Sequence, residues 1–590
     1  MRRRLLVLAG LVLLAVAPLV AARAADPPTP DPNFLVNLAP RNCLPQPGNQ
    51  YEAAQYAREG WQGPEYERYP GHCQRLKFAF GPLTIKPGQN DVLIQPLTVE
   101  KPSRDGYITR FKPDLVRPDG TVPPIEQIHL HHGTWLSEPS YGNSAFVAAG
   151  EEKTAAWIPR GYGMPIKASD QWQLLYMVHS AVAQPQVVYI TYEIDFVPQA
   201  DAEQLGLKAA YPVWMDVRPS AYPVFNVQRG FGSGGTCTWP KQECASVDPY
   251  GNAFTGQGAP GNGKGTDLSL PRRGGSLGQM TNFQGGTLIG IGGHLHPGGL
   301  HNEIDAVRGG QSQRIYTSDA RYWDRTDPTK WGGPPTSWDF SITVNGLPYW
   351  GVHLEPGDVI RSNATYDNTI QSTYEDMGIA VGYMVPDKPD GTPNAPGVDP
   401  FTAPYDSSAD CASGGLQAAT PTLCDQGGVV THGHLHENDN FGGPQGSFPT
   451  ATARAFPISG VDIGGFLYNP GDLSTISMTG LPTVKLGTQL QFLNSDAGLD
   501  VYHTVTSCGF PCTGATGTSF PIGNGTTSAG RPLDFDSAEL GYGPPLIGPA
   551  KQTATWSIDV SAKAGYKPGE IITYYCRIHP GMRGAFEVTN

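Results

Sequence analysis

The chain has 590 residues and a formal net charge of −13, from 40 lysines and arginines against 53 aspartates and glutamates. This acidic excess argues against a nucleic-acid partner, because phosphate binding depends on basic residues. Hydrophobic residues make up 39% of the chain and charged residues 16%, while 74 glycines and 56 prolines favour turns and short strands over long helices. The composition predicts an all-β protein, and the length predicts three or four domains of roughly 150 residues each.

The N-terminal residues have the pattern of a secretory signal peptide. Arginines at positions 2–4 precede the apolar run LLVLAGLVLLAVAPLV, and the small-x-small sequence ARA follows at 22–24. The apolar run is shorter than the ~20 residues that a membrane-spanning helix needs, which favours cleavage over an uncleaved anchor. We therefore predict removal of residues 1–24, export to the periplasm or the cell exterior, and no stable membrane span.

Turn-rich stretches divide the rest of the chain into segments. Apolar stretches such as QVVYITYEIDFVP at 186–198 alternate with turns, which is typical of antiparallel strands. The predicted segments are an N-terminal arm (25–76), a first β-sandwich (77–229), a glycine-rich insertion (230–275), a second β-sandwich (276–388), a linker (389–450) and a final β domain (451–590).

Eight of the nine cysteines have a close neighbour in the sequence, and oxidising compartments favour disulfides. Proximity suggests the pairs Cys43 with Cys73, Cys237 with Cys244, Cys411 with Cys424, and Cys508 with Cys512, although sequence alone cannot fix connectivity. Cys576 is left over. Metal ligation would give an exported protein a reason to keep this thiol.

The strongest motif is YYCRIHPGMRGAFEV at 574–588, in which Cys576, His579 and Met582 are spaced three apart. A thiolate, an imidazole and a weak axial thioether suit a type 1 copper. His503, in DVYHTVTSC, stands where a second imidazole ligand is needed. A copper held by these four side chains keeps no open coordination position, so we predict electron transfer.

Residues 451–590 resemble the cupredoxins, and the short Cys-x2-His-x2-Met loop is most similar to that of amicyanin within the amicyanin and plastocyanin-like blue copper proteins. The resemblance includes VKLGTQLQFLNSD ahead of His503 and PGEIITYYC ahead of the loop. It implies a Greek-key β-sandwich. A long insertion between His503 and Cys576 departs from the family pattern.

Two groups of histidines lie upstream, in HLHHGTW with LLYMVHS and in GGHLHPGGLH. Side chains alternate faces along a strand, so His294 and His296 can grip one metal ion from the same side. The adjacent His131 and His132 can do so only at a bend or a β-bulge.

The segments LEPGDVIRSNATYDNT and YEDMGIAVGYM, within 354–384, resemble the copper type II, ascorbate-dependent monooxygenases such as peptidylglycine α-hydroxylating and dopamine β-monooxygenases. The resemblance spans about 77–388 in short islands and implies two jelly-roll sandwiches with one copper each. It implies two ligand sets, an electron-donating set of His131, His132 and His179 and an oxygen-binding, catalytic set of His294, His296 and Met377. His129 and His301 are additional histidines that could belong to either set or to neither, and we interpret His353 as a core or surface residue.

A third group, THGHLHEN, contains His432, His434 and His436 in the predicted linker. On an extended backbone all three point the same way, which is favourable for copper or zinc. Loops also carry solvated histidines, so both interpretations remain open.

These features lead to two main functional hypotheses. In the first, the protein is a copper monooxygenase that uses O2 to hydroxylate a C–H bond of an organic substrate, with electrons from a redox partner protein or a small reductant passing through the blue copper. In the second, it is a non-catalytic periplasmic or extracellular protein that transfers electrons or buffers copper. A third, weaker alternative is a scaffold that keeps only the blue copper. The H-E-x-x-H signature of zinc hydrolases is absent from the sequence.

Overall fold

The computed structural model describes most of the sandwich regions and parts of the segments between them. The described residues are 41–43, 69–89, 92–123, 127–138, 140, 144–150, 155–216, 225–227, 236–239, 244, 268–269, 285–323, 331–332, 340–345, 350–367, 373–403, 405–410, 423–426, 429–430, 456–499, 501–512, 526–533, 535–537, 540–542, 552–579 and 581–590. The predicted signal peptide and the histidines of THGHLHEN lie outside them. The described part of the chain contains no helix with the length and hydropathy needed to cross a bilayer.

The first sandwich consists of two sheets whose strands alternate along the chain. Its elements are β1 (Arg41–Asn42), β2 (Gln74–Ile85), β3 (Val92–Val99), β4 (Gly106–Val116), β5 (Ile128–Glu138), β6 (Ser144–Gly150), β7 (Ala156–Trp157), β8 (Tyr162–Ile166), β9 (Gln171–Ser180), β10 (Gln186–Pro198), helix α1 (Gln199–Leu205) and β11 (Lys208–Ala209). One sheet has the order β1-β2-β10-β4-β8-β11 and the other β3-β9-β5-β6. Eight of these strands, β2-β10-β4-β8 in one sheet and β3-β9-β5-β6 in the other, have the order of a jelly roll.

The second sandwich repeats this arrangement. Its strands are β12 (Tyr211–Asp216), β13 (Phe225–Val227), β14 (Thr236–Trp239), β15 (Leu268–Ser269), β16 (Gly286–His294), β17 (Gly299–Arg308), β18 (Gln311–Trp323), β19 (Trp331–Gly332), β20 (Phe340–Asn345), β21 (Val352–Leu354), β22 (Val359–Asp367), β23 (Thr373–Asp376), β24 (Ile379–Pro386), β25 (Tyr405–Asp410), β26 (Leu423–Gln426) and β27 (Val429–Val430). One face has the order β12-β24-β16-β21 and the other β14-β22-β17-β18, with β20 bridging β16 and β18.

The boundary between the two sandwiches differs from the predicted one. Tyr211–Asp216 lies inside the 77–229 segment assigned to the first sandwich, yet it pairs antiparallel with Ile379–Pro386 of the second. The boundary is therefore near residue 210. Ile289 and Tyr383 of the second sandwich share one hydrophobic core cluster with Phe111 of the first, so the two sandwiches pack directly against each other.

The third sandwich is formed by the C-terminal residues. Its elements are β28 (Gly460–Gly464), β29 (Leu467–Asn469), β30 (Thr483–Lys485), β31 (Thr488–Asn494), a 3-10 helix (Ser495–Leu499), β32 (Thr506–Cys508), β33 (Gly541–Tyr542), β34 (Gln552–Thr553), β35 (Thr555–Val560), β36 (Ile571–Tyr575) and β37 (Arg583–Thr589). The sheets β29-β28-β31-β35 and β30-β37-β36-β32 enclose a core that includes Leu490, Phe492 and Tyr574. The prediction of an all-β protein built from sandwiches is confirmed.

Three of the predicted disulfides are confirmed. Cys43 bonds to Cys73, Cys237 to Cys244 and Cys508 to Cys512. Cys576 is free and buried. The predicted partner of Cys424, Cys411, lies outside the described residues.

The third sandwich contacts the first at Gly88, in the turn between β2 and β3. Gly88 has a φ of +62°, and a Cβ there would overlap the ring of Phe466 and lie 3.0 Å from Cγ1 of Val501. The Phe466 ring is held in turn against His503 and His579, with ring centroids 5.5 and 4.9 Å away. Gly88 is therefore a close contact point for the C-terminal domain.

We predict that Gly88→Ala loosens this contact. Gly206→Ala is the matched control, because Gly206 has a φ of +65° and open space around it. The left-handed conformation costs both variants about 1 kcal/mol, and overlap with Phe466 should destabilise Gly88→Ala by roughly a further 1–3 kcal/mol. Thermal unfolding would measure the difference, and amide exchange should accelerate around Phe466 only in Gly88→Ala. Equal behaviour of the two variants would contradict the contact.

Candidate metal centres

The C-terminal cluster is formed by a strand end, a tight loop and a distant segment. Cys576 follows β36, and His579 and Met582 lie in the loop that leads to β37. The loop is closed by the N–H of Cys576 donating to the carbonyl of Met582 (3.1 Å) and the N–H of Met582 donating to the carbonyl of His579 (2.8 Å). His503 lies between the 3-10 helix and β32, which pairs with β36. The sandwich therefore brings together residues 73 positions apart.

Two imidazole nitrogens converge on the Cys576 sulfur. The Nδ1 atoms of His503 and His579 each lie 3.8 Å from Sγ and 3.1 Å from each other. The three side chains form one group of potential metal ligands and are at most 1% exposed. Met582 is also buried, in the same hydrophobic cluster as Cys576. The structure thus brings the four predicted ligands into one region.

Two backbone N–H groups donate to this sulfur. The N–H groups of Thr504 and His579 point at Sγ from 3.3 and 3.4 Å. These two donors help to fix the position of the sulfur, and the thiolate is the form of cysteine that binds metals.

The carboxylate of Asp496 orients His503. Nε2 of His503 lies 3.0 Å from Oδ2 of Asp496, whose oxygens also accept from the N–H groups of Gly465 (2.9 Å) and Phe466 (3.3 Å). Burial opposes a charge on His503, but hydrogen bonds to Asp496 and Cys576 outweigh it and raise the pKa. Burial likewise opposes a charge on Asp496, but the hydrogen bond to His503 outweighs the effect of burial and lowers the pKa of the Asp496 carboxyl group. Because Nε2 donates to Asp496, Nδ1 is left to face the sulfur.

A β-bulge in the first sandwich places the upstream histidines. His129 of β5 pairs with His179 of β9, whereas His132 pairs with Met177, and the register shifts between the two pairs. Cross-strand partners point to one face of a sheet, and Met177 and His179, two residues apart, share a face. His129, His132 and His179 therefore all point the same way, and His131 is the extra residue of the bulge.

The histidine face is the outer face of its sheet. Ile128, Leu130 and Trp135, which alternate with the histidines, belong to the sandwich core. His129, His131 and His179 are nevertheless at most 3% exposed. The second and third sandwiches cover them.

The covering histidines of the second sandwich come from the end of β16. Nε2 of His132 lies 3.0 Å from Nε2 of His296, and the rings of His131 and His296 have centroids 4.8 Å apart. His294 is close to both, with ring centroids 5.4 Å from His132 and 5.1 Å from His296. Six imidazoles thus form one cluster, which we call the interface cluster: His129, His131, His132, His179, His294 and His296.

Within this cluster, two overlapping groups could each hold a metal ion. One is His129, His131 and His179, and the other is His131, His132 and His296, with the ligand atoms of each group within 4.8 Å of one another. Burial lowers the pKa of His131, His132, His179 and His296 well below the usual value, and the charges of neighbouring histidines lower it further. These imidazoles are neutral at physiological pH, which is the state that binds metals.

The backbone of Met377 is linked to this cluster by hydrogen bonds. The Tyr366 hydroxyl accepts a hydrogen bond from the N–H of His296 and donates one to the carbonyl of Met377, each 2.8 Å long. His294 pairs with Ile379, two residues after Met377. The predicted oxygen-binding set is therefore brought to one end of the second sandwich.

The groups of histidines in the structure differ from the two predicted ligand sets, each of which was assigned to one sandwich. His132, assigned to the first set, meets His296 of the second, and His129, assigned to neither, joins His131 and His179. The cause is the bulge, which turns His132 toward the second sandwich. Among the described residues, His301 belongs to no such group, and His353 lies 3.0 Å from Asp387, in keeping with a structural role.

The interface cluster also adjoins the C-terminal cluster. The rings of His179 and His579 have centroids 5.9 Å apart, and both side chains are 1% exposed. Burial lowers the pKa of His579 well below its usual value, and the charges of His503 and His179 add to this effect. No water-filled gap separates the two rings at this distance.

No protein-family model and no curated protein matches the chain. Similar solved structures include the Cu-containing nitrite reductase (NirK) from Thermus scotoductus SA-01, with 15% identity over 51% of this chain and 55% of that chain and a TM-score of 0.13. The major capsid protein P2 from bacteriophage PM2 matches at 9% identity over 53% and 97% of the two chains, with a TM-score of 0.23. PNGase F, a glycosylasparaginase from Flavobacterium meningosepticum, matches at 10% identity over 55% and 98%, with a TM-score of 0.25. Scores this low carry no argument, so the functional case depends on the geometry of the two clusters.

We predict that Asp496→Asn weakens copper binding at the C-terminal cluster by about 10- to 100-fold, because partners that orient a ligand histidine typically have effects of this size. Copper(II) affinity measured by competition with a chelator would test this. Asp559→Asn is the control, since Asp559 is exposed and accepts from Ser561 in the same sandwich. An unchanged affinity in Asp496→Asn would show that His503 needs no carboxylate support.

Proposed function

We propose that the protein is an exported multi-copper redox protein. Its C-terminal sandwich binds a type 1 copper through His503, Cys576, His579 and Met582 and exchanges electrons with copper held by the interface cluster. The observation that carries this proposal is the convergence of two Nδ1 atoms on the Cys576 sulfur, each at 3.8 Å. The disulfides support an oxidising compartment and therefore export.

The donor set favours copper over zinc. Zinc prefers thiolate, imidazole and carboxylate ligands in a tetrahedral site, whereas two imidazoles, one thiolate and a weak thioether are typical of blue copper. Among the described residues, the group contains no carboxylate ligand, and Asp496 binds the far nitrogen of His503. When bound there, copper supplies a one-electron couple.

The protein residues hold this site in one geometry. Asp496 fixes the tautomer of His503, and two backbone N–H groups donate to the Cys576 sulfur. The hydrogen-bonded loop fixes the spacing of Cys576, His579 and Met582. Because these residues are almost fully buried, water is excluded, and little rearrangement needs to accompany a change in charge.

The contact between His579 and His179 offers an internal route for electrons. His579 presents Nδ1 to the Cys576 sulfur, and its ring also neighbours His179, a residue of the interface cluster. With copper bound in both clusters, an electron exchanged between them would pass between two buried imidazole rings, those of His179 and His579. This arrangement supports an exchange within the chain, with a redox partner protein or a small reductant as the external donor.

A second candidate function is oxygen-dependent hydroxylation at the interface cluster. The hydrogen bonds of Tyr366, which tie the His296 backbone to the Met377 backbone, favour it because they bring the His-x-His pair and the methionine to one place. Hydroxylation converts a C–H bond, O2, two electrons and two protons into an alcohol and water. The reductant would supply the electrons through the C-terminal cluster. Without oxygen uptake, the same geometry supports the alternative of electron transfer or copper buffering.

We predict that Cys576→Ser abolishes the blue absorption of the copper-loaded protein and removes one copper per chain, because serine cannot supply the thiolate. Absorption spectroscopy and metal analysis of the same sample would test this. Copper in the interface cluster should remain, since none of its ligands is altered. A blue band that survives the substitution would refute the type 1 assignment.

We predict that Met377→Ala abolishes reductant-dependent oxygen consumption while the blue band persists. The control is Met384→Ala, because Met384 is buried in the core of the same sandwich but belongs to neither cluster. An oxygen electrode would compare the two variants at equal copper content. If Met377→Ala consumes oxygen at the rate of the unaltered protein, the hydroxylation hypothesis is wrong.

A further inference from the structure

The interface cluster contains more imidazoles than one copper ion can use. Its two ligand groups share His131, and His129 and His179 belong to one group while His132 and His296 belong to the other. Copper(II) with nitrogen ligands favours a square-planar or tetragonal arrangement. A single ion could therefore not engage both ends of the cluster.

We propose that the interface cluster is a dinuclear copper centre built across the contact between the first and second sandwiches. One copper would be held by His129, His131 and His179. The other would be held by His132, His296 and His294, with His131 between the two ions. This inference rests on the proposed function for the identity of the metal and for the third, blue copper of the C-terminal cluster.

The first position depends on a direct cross-strand pair. His129 and His179 face each other in the register of β5 and β9, and their ring centroids are 4.8 Å apart. The bulge at His131 adds a third ring, 5.9 Å from that of His129 and 6.2 Å from that of His179. All three residues belong to the first sandwich, so this position is complete within one domain.

The second position depends on the contact between the sandwiches. His132 comes from β5, and His296 and His294 come from the end of β16 and the turn after it. Nε2 of His132 and Nε2 of His296 are 3.0 Å apart, close enough to act on one ion. A metal bound here would join the two jelly rolls.

The position of His131 sets the relation between the two ions. Its ring lies 4.5 Å from that of His132 and 4.8 Å from that of His296, while it also belongs to the group with His129 and His179. His131 would have to lose its N–H proton on metal binding to present one ring nitrogen to each ion. Two copper ions bridged in this way would lie close enough for their unpaired electrons to couple. The centre could then accept two electrons, one on each ion, delivered singly through His579 and His179.

The proposal is tested by comparing copper content with the number of unpaired electrons. The full-length oxidised protein would carry alanine at His432, His434 and His436, so that these residues contribute no copper. We expect three copper ions per chain, with a paramagnetic resonance signal that accounts for fewer spins than copper ions, because the two interface ions are coupled.

His129→Ala should remove one copper ion and yet increase the signal of ordinary, non-blue copper, because the remaining interface ion loses its coupled neighbour. His296→Ala should do the same from the other side and serves as a second variant if the first folds poorly. His353→Ala is the matched control, since His353 contacts Asp387 and lies outside the cluster.

Two outcomes would overturn the proposal. One is a single non-blue copper with its full signal in the parent protein, and the other is an unchanged copper count and signal in both His129→Ala and His296→Ala. The blue band reports the C-terminal site separately. Its absence would refute the proposed function while leaving the count of interface ions to be judged by itself.

Discussion

The candidate site depends on one β-bulge between β5 and β9. If β5 were a regular strand at His131, side chains would alternate strictly between the two faces of the sheet. His132 would then point away from His129 and His179, into the hydrophobic core of the first sandwich. The bulge instead brings four imidazoles to the outer face of the sheet, while Leu130 and Trp135 remain in the core. The four belong to His129, His131 and His132 of β5 and His179 of β9. A single irregularity of the backbone thus keeps the apolar side chains of β5 in the core and places its histidines together on the outer face.

Burial of that face defines its electrostatics. The second and third sandwiches cover imidazoles that would otherwise meet water, and their pKa values fall well below the usual value as a result. Among the described residues, neither ligand group of the interface cluster includes a carboxylate. A dry interface without carboxylates would leave much of the charge of a bound metal uncompensated, which favours the lower charge state. In the proposed function, the interface cluster would therefore receive electrons from the C-terminal cluster, where a thiolate balances more of the charge of the metal.

The sequence predicted what local spacing controls. The Cys-x2-His-x2-Met loop, the neighbouring disulfides and the sandwich architecture follow from short-range patterns, and the structure brings His503 to Cys576. The place of His129 was left open, since it could belong to either ligand set or to neither, although the alternation argument that paired His294 with His296 also applies to His129 and His131. The mixing of the two ligand sets and the domain boundary near 210 depend on a bulge and on strand pairing between distant segments, which no local pattern reveals. Asp496 carried no signal beyond its place ahead of His503.

The arrangement of the cysteines has a consequence for maturation. The described disulfides join residues only 30, 7 and 4 positions apart, and short loops close at little entropic cost. Each of these thiols therefore encounters its own partner first, which spares Cys576 from mispairing while the chain is being oxidised. If copper binds at Cys576 as proposed, formation of these disulfides would not consume the sulfur that the metal needs.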